Sequence, residues 1–138
     1  MEKDYSKLLI KEYKYWLINI HENQGYLGRS IIWCKRENAL DLTDATKEEQ
    51  EELFVILKDL KNAIQIAFNP DWCNYAFLGN GAQHLHAQFI PRYAKPKQFM
   101  GITFEDHLYG HNYKTNHDFV TSEDVLREVV RLLKTNLG

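Results

Sequence analysis

The alternating stretch from Asn80 to Arg92 contains the residues whose types and spacing could do chemistry. In a β-strand every second side chain lies on the same face, so the spacing predicts that His84, His86 and Gln88 project together. The apolar side chains between them would point to the other face. Two imidazoles and a carboxamide would then line one surface, with the middle ring exposed.

Such a row is compatible with three kinds of site. A metal could bind the two imidazoles, but zinc sites use three or four ligands and a carboxamide is a poor one. The histidines could instead be core residues that bond backbone carbonyls, provided that every buried polar atom finds a partner. The third possibility is nucleophilic catalysis, in which a neutral imidazole attacks phosphorus and forms a covalent phosphoramidate. That reaction needs one ring nitrogen free and the other held by an acceptor that fixes the tautomer.

The motif also resembles that of a known family. The run 84–90 (His-Leu-His-Ala-Gln-Phe-Ile), followed by Pro91-Arg92, is similar to the signature of the histidine-triad (HIT) superfamily. The stretch 25–36, with its glycines and Lys35-Arg36, resembles the family's glycine-led strand and basic turn. The third histidine of the usual pattern is Gln88 here. This form is similar to the branch containing galactose-1-phosphate uridylyltransferase and diadenosine tetraphosphate phosphorylase.

The resemblance implies a nucleotide hydrolase or nucleotidyltransferase acting on a nucleoside polyphosphate or nucleotide conjugate. His86 would be the nucleophile, His84 would position it, and Gln88 would bond phosphate oxygens. Because a carboxamide cannot deliver a proton, the reaction would favour a leaving group that departs without strong acid assistance. The resemblance implies a homodimer and no resident cofactor, with Mg²⁺ entering only as a companion of the substrate phosphates. A nucleotide-binding module without turnover and a zinc-binding protein remain the alternatives.

Further substrate contacts are expected on either side of the motif. In the turn 79–81, Asn80 and Gly81 are predicted to approach phosphate, because glycines let backbone N–H groups come close to an anion. The loop that follows is shorter than in many HIT proteins, and Gln83 is the one residue to which a phosphate contact carries over. The resemblance makes Asn19 and Asn23 candidates for ribose or base contacts, with simple turn residues as the alternative.

Three basic side chains could supply positive potential to a phosphate site. Arg29, Lys35 and Arg36 lie in the stretch that carries the family resemblance. Taken alone, each is better explained as solvated surface charge.

The composition limits the broad class of the protein. The chain has 138 residues, 44% of them hydrophobic and 26% charged, with a net charge of -2. These values are typical of one globular domain, here 1–138, and a net negative charge argues against nucleic acid or an anionic membrane as partner. The lack of a signal peptide and of a long apolar run predicts a cytoplasmic location. The two cysteines are expected to be free thiols.

Periodicity predicts the elements that must position the motif. The patterns favour strands over Tyr13–Ile20, Arg29–Cys34 and Trp72–Leu78, a long helix that Thr46 caps, and a last helix that begins at Thr121. We therefore expect an α+β fold, which the resemblance narrows to an antiparallel meander sheet of about five strands. A long helix and a C-terminal helix would flank the sheet. The segment 94–120 is predicted to be a lid or edge over the pocket.

Overall fold

A computed structural model describes residues 5–137 of the chain. Five strands form an antiparallel sheet in the order β1-β2-β3-β5-β4. The strands are β1 (Leu9–Glu12), β2 (Trp16–Ile20), β3 (Ser30–Cys34), β4 (Trp72–Ala76) and β5 (His86–Arg92). A separate hairpin consists of β6 (Lys97–Phe99) and β7 (Ile102–Phe104), and the two helices are α1 (Lys47–Phe68) and α2 (Glu123–Asn136).

The predicted α+β fold, with an antiparallel sheet and two flanking helices, is confirmed. The sheet differs from a simple meander at one place. The chain leaves β3, runs through α1 and enters β4, which lies outside β5 at the edge of the sheet. Strand β5, which carries the motif, therefore lies between β3 and β4.

One face of the sheet packs into the core, and the other does not. Residues of β2 and β3 alternate between buried and half-buried along each strand, as expected when alternate side chains point to opposite faces. The core face is apolar and packs with the helices around it: Trp16, Ile18, Ile20, Ile32, Cys34, Ala87 and Phe89. The opposite face keeps Leu17, Asn19, Ile31 and Trp33 half-buried.

Helix α1 begins as the sequence predicts. The Thr46 hydroxyl accepts a hydrogen bond from the Glu49 amide at 3.1 Å, and the Glu49 carboxylate accepts one from the Thr46 amide at 2.8 Å. This reciprocal capping box satisfies two N–H groups that the first turn would otherwise leave unpaired. The Arg36 guanidinium bonds both oxygens of the same carboxylate, at 3.0 and 3.1 Å. Glu49 thus joins the start of α1 to the end of the β3 strand.

Stability should depend on pH through Glu49. Its hydrogen bonds with Arg36 hold the pKa of Glu49 at about 2, below the ordinary 4.5. Because the folded-state pKa is depressed, this contribution is fully present above pH ~4.5 and is lost as pH falls through 2. We expect Glu49→Gln to lower the free energy of unfolding by about 2 to 3 kcal/mol at pH 7 and by much less near pH 2. Urea unfolding at a series of pH values measures the difference, with the exposed Glu48→Gln as control. A difference that does not change with pH would contradict the assignment.

The start of the last helix differs from the prediction by one residue. The N-cap is Ser122, whose hydroxyl accepts from the Val125 amide at 3.2 Å. The Thr121 hydroxyl instead accepts from the Gln24 amide at 2.9 Å, which ties the loop after β2 to the segment before α2. Thr and Ser are both good N-cap residues. Because the Thr121 hydroxyl bonds Gln24, Ser122 caps the helix.

Close approach of the β2–β3 connection to α1 requires a glycine. Gly28 has a φ of +93°, and a Cβ there would lie 2.9 Å from the Cδ1 atom of Ile64. A larger residue would therefore meet both backbone strain and a clash. Within residues 5–137, neither helix has the length and apolar character needed to cross a bilayer.

Candidate active site

The motif residues lie on the half-buried face of the sheet, as their alternation predicts. Trp33 of β3 is the register partner of His86, and Gln88 lies opposite Ile31 on one side and Ala76 on the other. His84 precedes β5. The chain is held extended there because the Leu85 carbonyl accepts from the Cys34 amide at 3.0 Å, and the Leu85 amide donates to the Ala39 carbonyl at 2.9 Å. Leu85, Ala87 and Phe89 are buried in the core.

A backbone carbonyl fixes the tautomer of His86. Its Nδ1 lies 2.6 Å from the carbonyl oxygen of His84. A carbonyl can only accept, so Nδ1 carries the proton and the neutral ring keeps its lone pair on Nε2. The indole of Trp33 stacks on the ring, with centroids 4.5 Å apart and an interplanar angle of 29°. The ring is therefore fixed both in its plane and in its hydrogen-bonding state.

The expectation that the His86 ring is well exposed is wrong. The residue is only 8% exposed, because Trp33 covers one face of the ring. Within residues 6–137, the one buried side-chain nitrogen or oxygen without a partner is Nε of Arg29. Since Nε2 of His86 also has no bonding partner there, that nitrogen must reach the molecular surface. One edge of the His86 ring therefore reaches the surface, and this edge carries the Nε2 lone pair.

His84 is held in a related way. Its Nε2 lies 2.5 Å from the carbonyl oxygen of Cys34, so in the neutral ring that nitrogen is the donor. The ring also lies against Trp33, at a centroid distance of 6.0 Å. The hypothesis of two carbonyl-bonded histidines is therefore right about one nitrogen of each ring. Within residues 6–137, Nδ1 of His84 and Nε2 of His86 have no hydrogen-bond partner.

Gln88 bonds to a buried arginine. The Arg29 guanidinium donates to the Gln88 side-chain oxygen at 3.3 Å and to the Thr115 hydroxyl at 2.8 Å. Arg29 is only 5% exposed, and its guanidinium lies over the Tyr113 ring at 5.4 Å. Burial lowers the pKa of Arg29 from its ordinary value, although arginine stays protonated in proteins. Interpreting Arg29 as solvated surface charge is therefore wrong.

The other two basic side chains have partners away from the motif. Lys35 forms an exposed ion pair with Glu12 at 2.8 Å, and Arg36 bonds Glu49. Of the three candidate cations, Arg29 is the one that contacts a motif residue.

The predicted phosphate-contacting turn lies in the exposed connection between β4 and β5. Asn80, Gly81 and Gln83 are all exposed there. The left-handed conformation occurs at Gly79, with a φ of +67°, and a Cβ on Gly81 would meet nothing within 4 Å. The Asn80 and Gln83 side chains and the backbone of Gly81 are thus accessible to a ligand, and their phosphate contacts stay predictions.

The two candidate asparagines differ in their surroundings. Asn19 lies in the same row of the sheet as Ile31 and Gln88, two strands from Gln88, or about 10 Å. Asn23 uses both ends of its carboxamide: it donates to the Asn116 carbonyl at 2.9 Å and accepts from the Gly25 amide at 2.8 Å. Asn23 therefore holds the loop after β2, whereas Asn19 lies on the same face of the sheet as the motif side chains.

His21 lies beside this end of the site. Its amide donates to the Arg29 carbonyl at 2.9 Å, and its ring Nδ1 accepts from the Asn23 amide at 2.9 Å. Burial, followed by the nearby Arg29 charge, lowers the pKa of His21 to about 4. The ring is therefore half-buried and neutral at pH 7.

The segment 105–117 contributes residues 109–115 to one wall of a large cleft. The Arg92 guanidinium makes a buried bidentate ion pair with Asp106, at 2.7 and 3.0 Å, and donates to the Leu108 and His111 carbonyls. The resulting cleft has a volume of about 1080 Å³. Residues of β4, Arg92 of β5 and residues 109–115 line it. They include Trp72, Asn74, Ala76, Arg92, Tyr109, His111, Tyr113 and Thr115. Its lining includes Ala76, which is the register partner of Gln88.

Sequence reasoning missed three contributors to this site. Trp33 stands two residues after Ile31 on the face opposite the core, so strand alternation could have placed it beside the motif. Tyr113 and Thr115 reach Arg29 from a segment that has no regular structure, and no sequence pattern places them there. Within residues 5–137, no group of three or more His, Cys, Asp or Glu side chains could hold a metal ion.

Comparisons with known proteins identify the fold. No family model matches the chain, and no curated protein is similar to it in sequence. Among solved structures, a hypothetical histidine triad nucleotide-binding protein from Sulfolobus tokodaii matches with a TM-score of 0.72 and 13% identity, over 94% of this chain and 83% of that one. A histidine triad protein from Bradyrhizobium japonicum matches with a TM-score of 0.72 and 15% identity, over 96% and 93% of the two chains. One from Marinobacter aquaeolei matches with a TM-score of 0.70 and 18% identity, over 96% and 91%.

Proposed function

Because the chain has the histidine-triad fold, as the motif predicts, we propose that it is an enzyme of nucleotide phosphate chemistry. It transfers the nucleotidyl group of a nucleoside polyphosphate or nucleotide conjugate to water or to a phosphate acceptor. The reaction passes through a nucleotidyl-His86 intermediate.

The observation that carries this proposal is the state of the His86 ring. The His84 carbonyl holds the Nδ1 proton, and Nε2, which has no protein partner among residues 6–137, carries its lone pair to the surface. A histidine that acts as a nucleophile needs these two properties.

The proposed reaction has two displacements at phosphorus. The Nε2 lone pair attacks the α-phosphorus, the new P–N bond forms, and the bond from phosphorus to the leaving oxygen breaks with its electron pair. An oxygen of water or phosphate then attacks the same phosphorus, the new P–O bond forms, the P–N bond breaks, and Nε2 recovers its lone pair. The proton of an attacking water is released to the solvent. The Gln88 carboxamide donates to the phosphoryl oxygens, where negative charge develops.

The remaining residues have supporting roles in this proposal. His84 positions the His86 ring through its carbonyl, and the turn of Asn80 and Gly81 approaches the phosphates together with Gln83. Asn19 contacts the ribose or base, a role that its position supports better than that of Asn23. No resident cofactor is used, and Mg²⁺ enters with the substrate phosphates.

A homodimer and a cytoplasmic location also belong to the proposal. The edge strand β4 and the residues just after it expose Trp72 (67%) and Leu78 (58%), which a second copy could cover. Nucleic acids and membranes are not proposed as partners, because the net charge is -2.

A substrate panel tests the activity. We expect at least one dinucleoside polyphosphate or nucleotide sugar to be converted, giving a nucleoside monophosphate with water as acceptor or a nucleoside diphosphate with added inorganic phosphate. Chromatographic identification of the products, with and without phosphate, also determines the acceptor. Binding of a nucleoside monophosphate without conversion of any panel member would favour a non-catalytic nucleotide-binding module.

A further inference from the structure

Arg29 is a buried cation without an anionic partner. Within the described part of the chain it forms no ion pair, and its partners are a carboxamide oxygen, a hydroxyl and an aromatic ring. Its Nε is buried and has no hydrogen-bond acceptor. Burying a charge without an oppositely charged partner is costly. Structural needs alone would be met more cheaply by an apolar residue.

The hydrogen bond from Arg29 determines which way Gln88 points. A guanidinium has five N–H donors and no acceptor, so only the side-chain oxygen of Gln88 can face it. The ambiguity between the oxygen and nitrogen of a carboxamide is thereby resolved by chemistry. The NH₂ group of Gln88 must then point away from Arg29, and no acceptor in residues 6–137 bonds to it. Gln88 is left with two N–H donors directed away from Arg29.

The position of these donors fits the reacting phosphoryl group. Gln88 and His86 are alternate residues of β5, so their Cα atoms are about 7 Å apart and their side chains share a face. A phosphoryl group bonded to Nε2 of His86 would extend its oxygens into the space between the two side chains. The Arg29 bond to Gln88, at 3.3 Å, is longer than a typical charge-assisted hydrogen bond. Its main effect is therefore on the orientation of the carboxamide.

Arg29 is itself held by the segment that covers this end of the sheet. Thr115 accepts from the guanidinium at 2.8 Å, and the Tyr113 ring lies 5.4 Å away. The intervening residue is fixed too, because the Tyr26 hydroxyl donates to the Lys114 carbonyl and accepts from the Lys114 amide, both at 3.0 Å. A rigid support of this kind is needed if an arginine is to hold a second side chain in one orientation.

We propose that Arg29 is a positioning residue that locks the Gln88 carboxamide with its oxygen inward, so that both N–H donors face the transferred phosphoryl group. This inference rests on the proposed function for the identity of the group that receives the bonds. Unlike an imidazole, which changes its donor count near its ordinary pKa, the Arg29–Gln88 pair offers the same two donors throughout pH 5–8. Between pH 5 and 8, where a histidine at position 88 would change its protonation state, the Arg29–Gln88 pair does not.

Kinetics of single and double variants test whether Arg29 acts through Gln88. Arg29→Met should lower kcat about 10- to 100-fold with a smaller change in KM, since deleting one oxyanion-stabilising donor outright costs about 10²- to 10³-fold. The double variant Arg29→Met/Gln88→Ala should lose no more than Gln88→Ala alone. Arg127→Met, at an exposed arginine on α2, is the matched control and should leave kcat unchanged. Losses that multiply in the double variant would overturn the inference.

A second pair of measurements does not require turnover. In ¹⁵N-labelled protein, the side-chain NH₂ signals of Gln88, identified by their loss in Gln88→Ala, should shift when inorganic phosphate is added. In Arg29→Met this response should be lost.

Gln88→Glu would give Arg29 the carboxylate that it lacks, so the Tm of this variant should rise while its turnover falls. Signals that respond alike in wild type and Arg29→Met, or a lower Tm for Gln88→Glu, would overturn the inference.

Different measurements would refute the proposed function and the Arg29 inference. Failure of the proposed function is seen in the wild-type protein, as a lack of conversion for every panel member. Failure of the Arg29 inference is seen in the Gln88 NH₂ signals and in the Gln88→Glu melting temperature, whatever the activity. If Arg29→Met does not fold, Gln88→Glu still decides the question.

Discussion

His86→Asn is expected to reduce turnover by on the order of 10⁴-fold or more, as the loss of a covalent nucleophile does in other enzymes. Asparagine can still donate to the His84 carbonyl from about the position of Nδ1, but it has no group at the position of Nε2. The substitution therefore removes the lone pair and retains the hydrogen bond of 2.6 Å. Steady-state rates on the best panel substrate measure the loss, and circular dichroism checks the fold.

The matched control for this variant is His107→Asn. The His107 side chain is 80% exposed and contacts Glu105, so the same chemical change there should leave turnover unchanged. The loss of stacking on Trp33 gives His86→Asn a stability cost of about 1 kcal/mol, since aromatic pairs are worth about 0.5–1.5 kcal/mol. Turnover by His86→Asn within tenfold of wild type would exclude His86 as the nucleophile.

Asp106→Ala should be the most destabilising single change outside the apolar core. The Arg92 and Asp106 side chains are 3% and 1% exposed, and removal of the carboxylate leaves a buried guanidinium unpaired. Breaking a buried pair in this way costs about 3–5 kcal/mol. The first half of the segment 105–117 would also lose its anchor, because Arg92 donates to the Leu108 and His111 carbonyls. Urea unfolding measures the free energy, and limited proteolysis within 105–117 reports the loosened segment.

A surface pair provides the control for this prediction. Asp124→Ala removes the partner of Arg127 on α2, where both side chains are 73% exposed, and exposed pairs contribute about 0–1 kcal/mol. The two aspartate variants should therefore differ by at least about 2 kcal/mol. Equal losses from the two variants would show that the Arg92–Asp106 pair has no special role in holding the segment.

Local patterns were sufficient to predict the elements that carry the motif. The Thr46 and Glu49 spacing located the start of α1, and alternation placed His86 and Gln88 on one face, because both signals depend only on neighbours in the sequence. Strand β1 (Leu9–Glu12) was missed because its pairing with β2 is irregular between Leu9 and Lys11 and its sequence mixes charged and apolar residues.

Long-range contacts account for most of what the sequence did not predict. The prediction that Arg29 is surface charge fails because nothing in the neighbouring sequence indicates that Tyr113 and Thr115 cover it. The small exposure of His86 has the same origin, since it depends on Trp33 from the neighbouring strand. Alternation and the resemblance of residues 84–92 to the histidine-triad signature identified the motif strand, whereas the structure added the groups that hold the motif side chains in place.

Direct detection of the covalent intermediate tests the central claim. Wild-type protein is mixed with the best panel substrate, quenched within one turnover, and examined by intact mass and by peptide mapping of residues 84–92. We expect a mass increase of one nucleotidyl group on the peptide that contains His86, and none in His86→Asn. Product formation with no such adduct at any time before the first turnover is complete, or an adduct that persists in His86→Asn, would contradict the account.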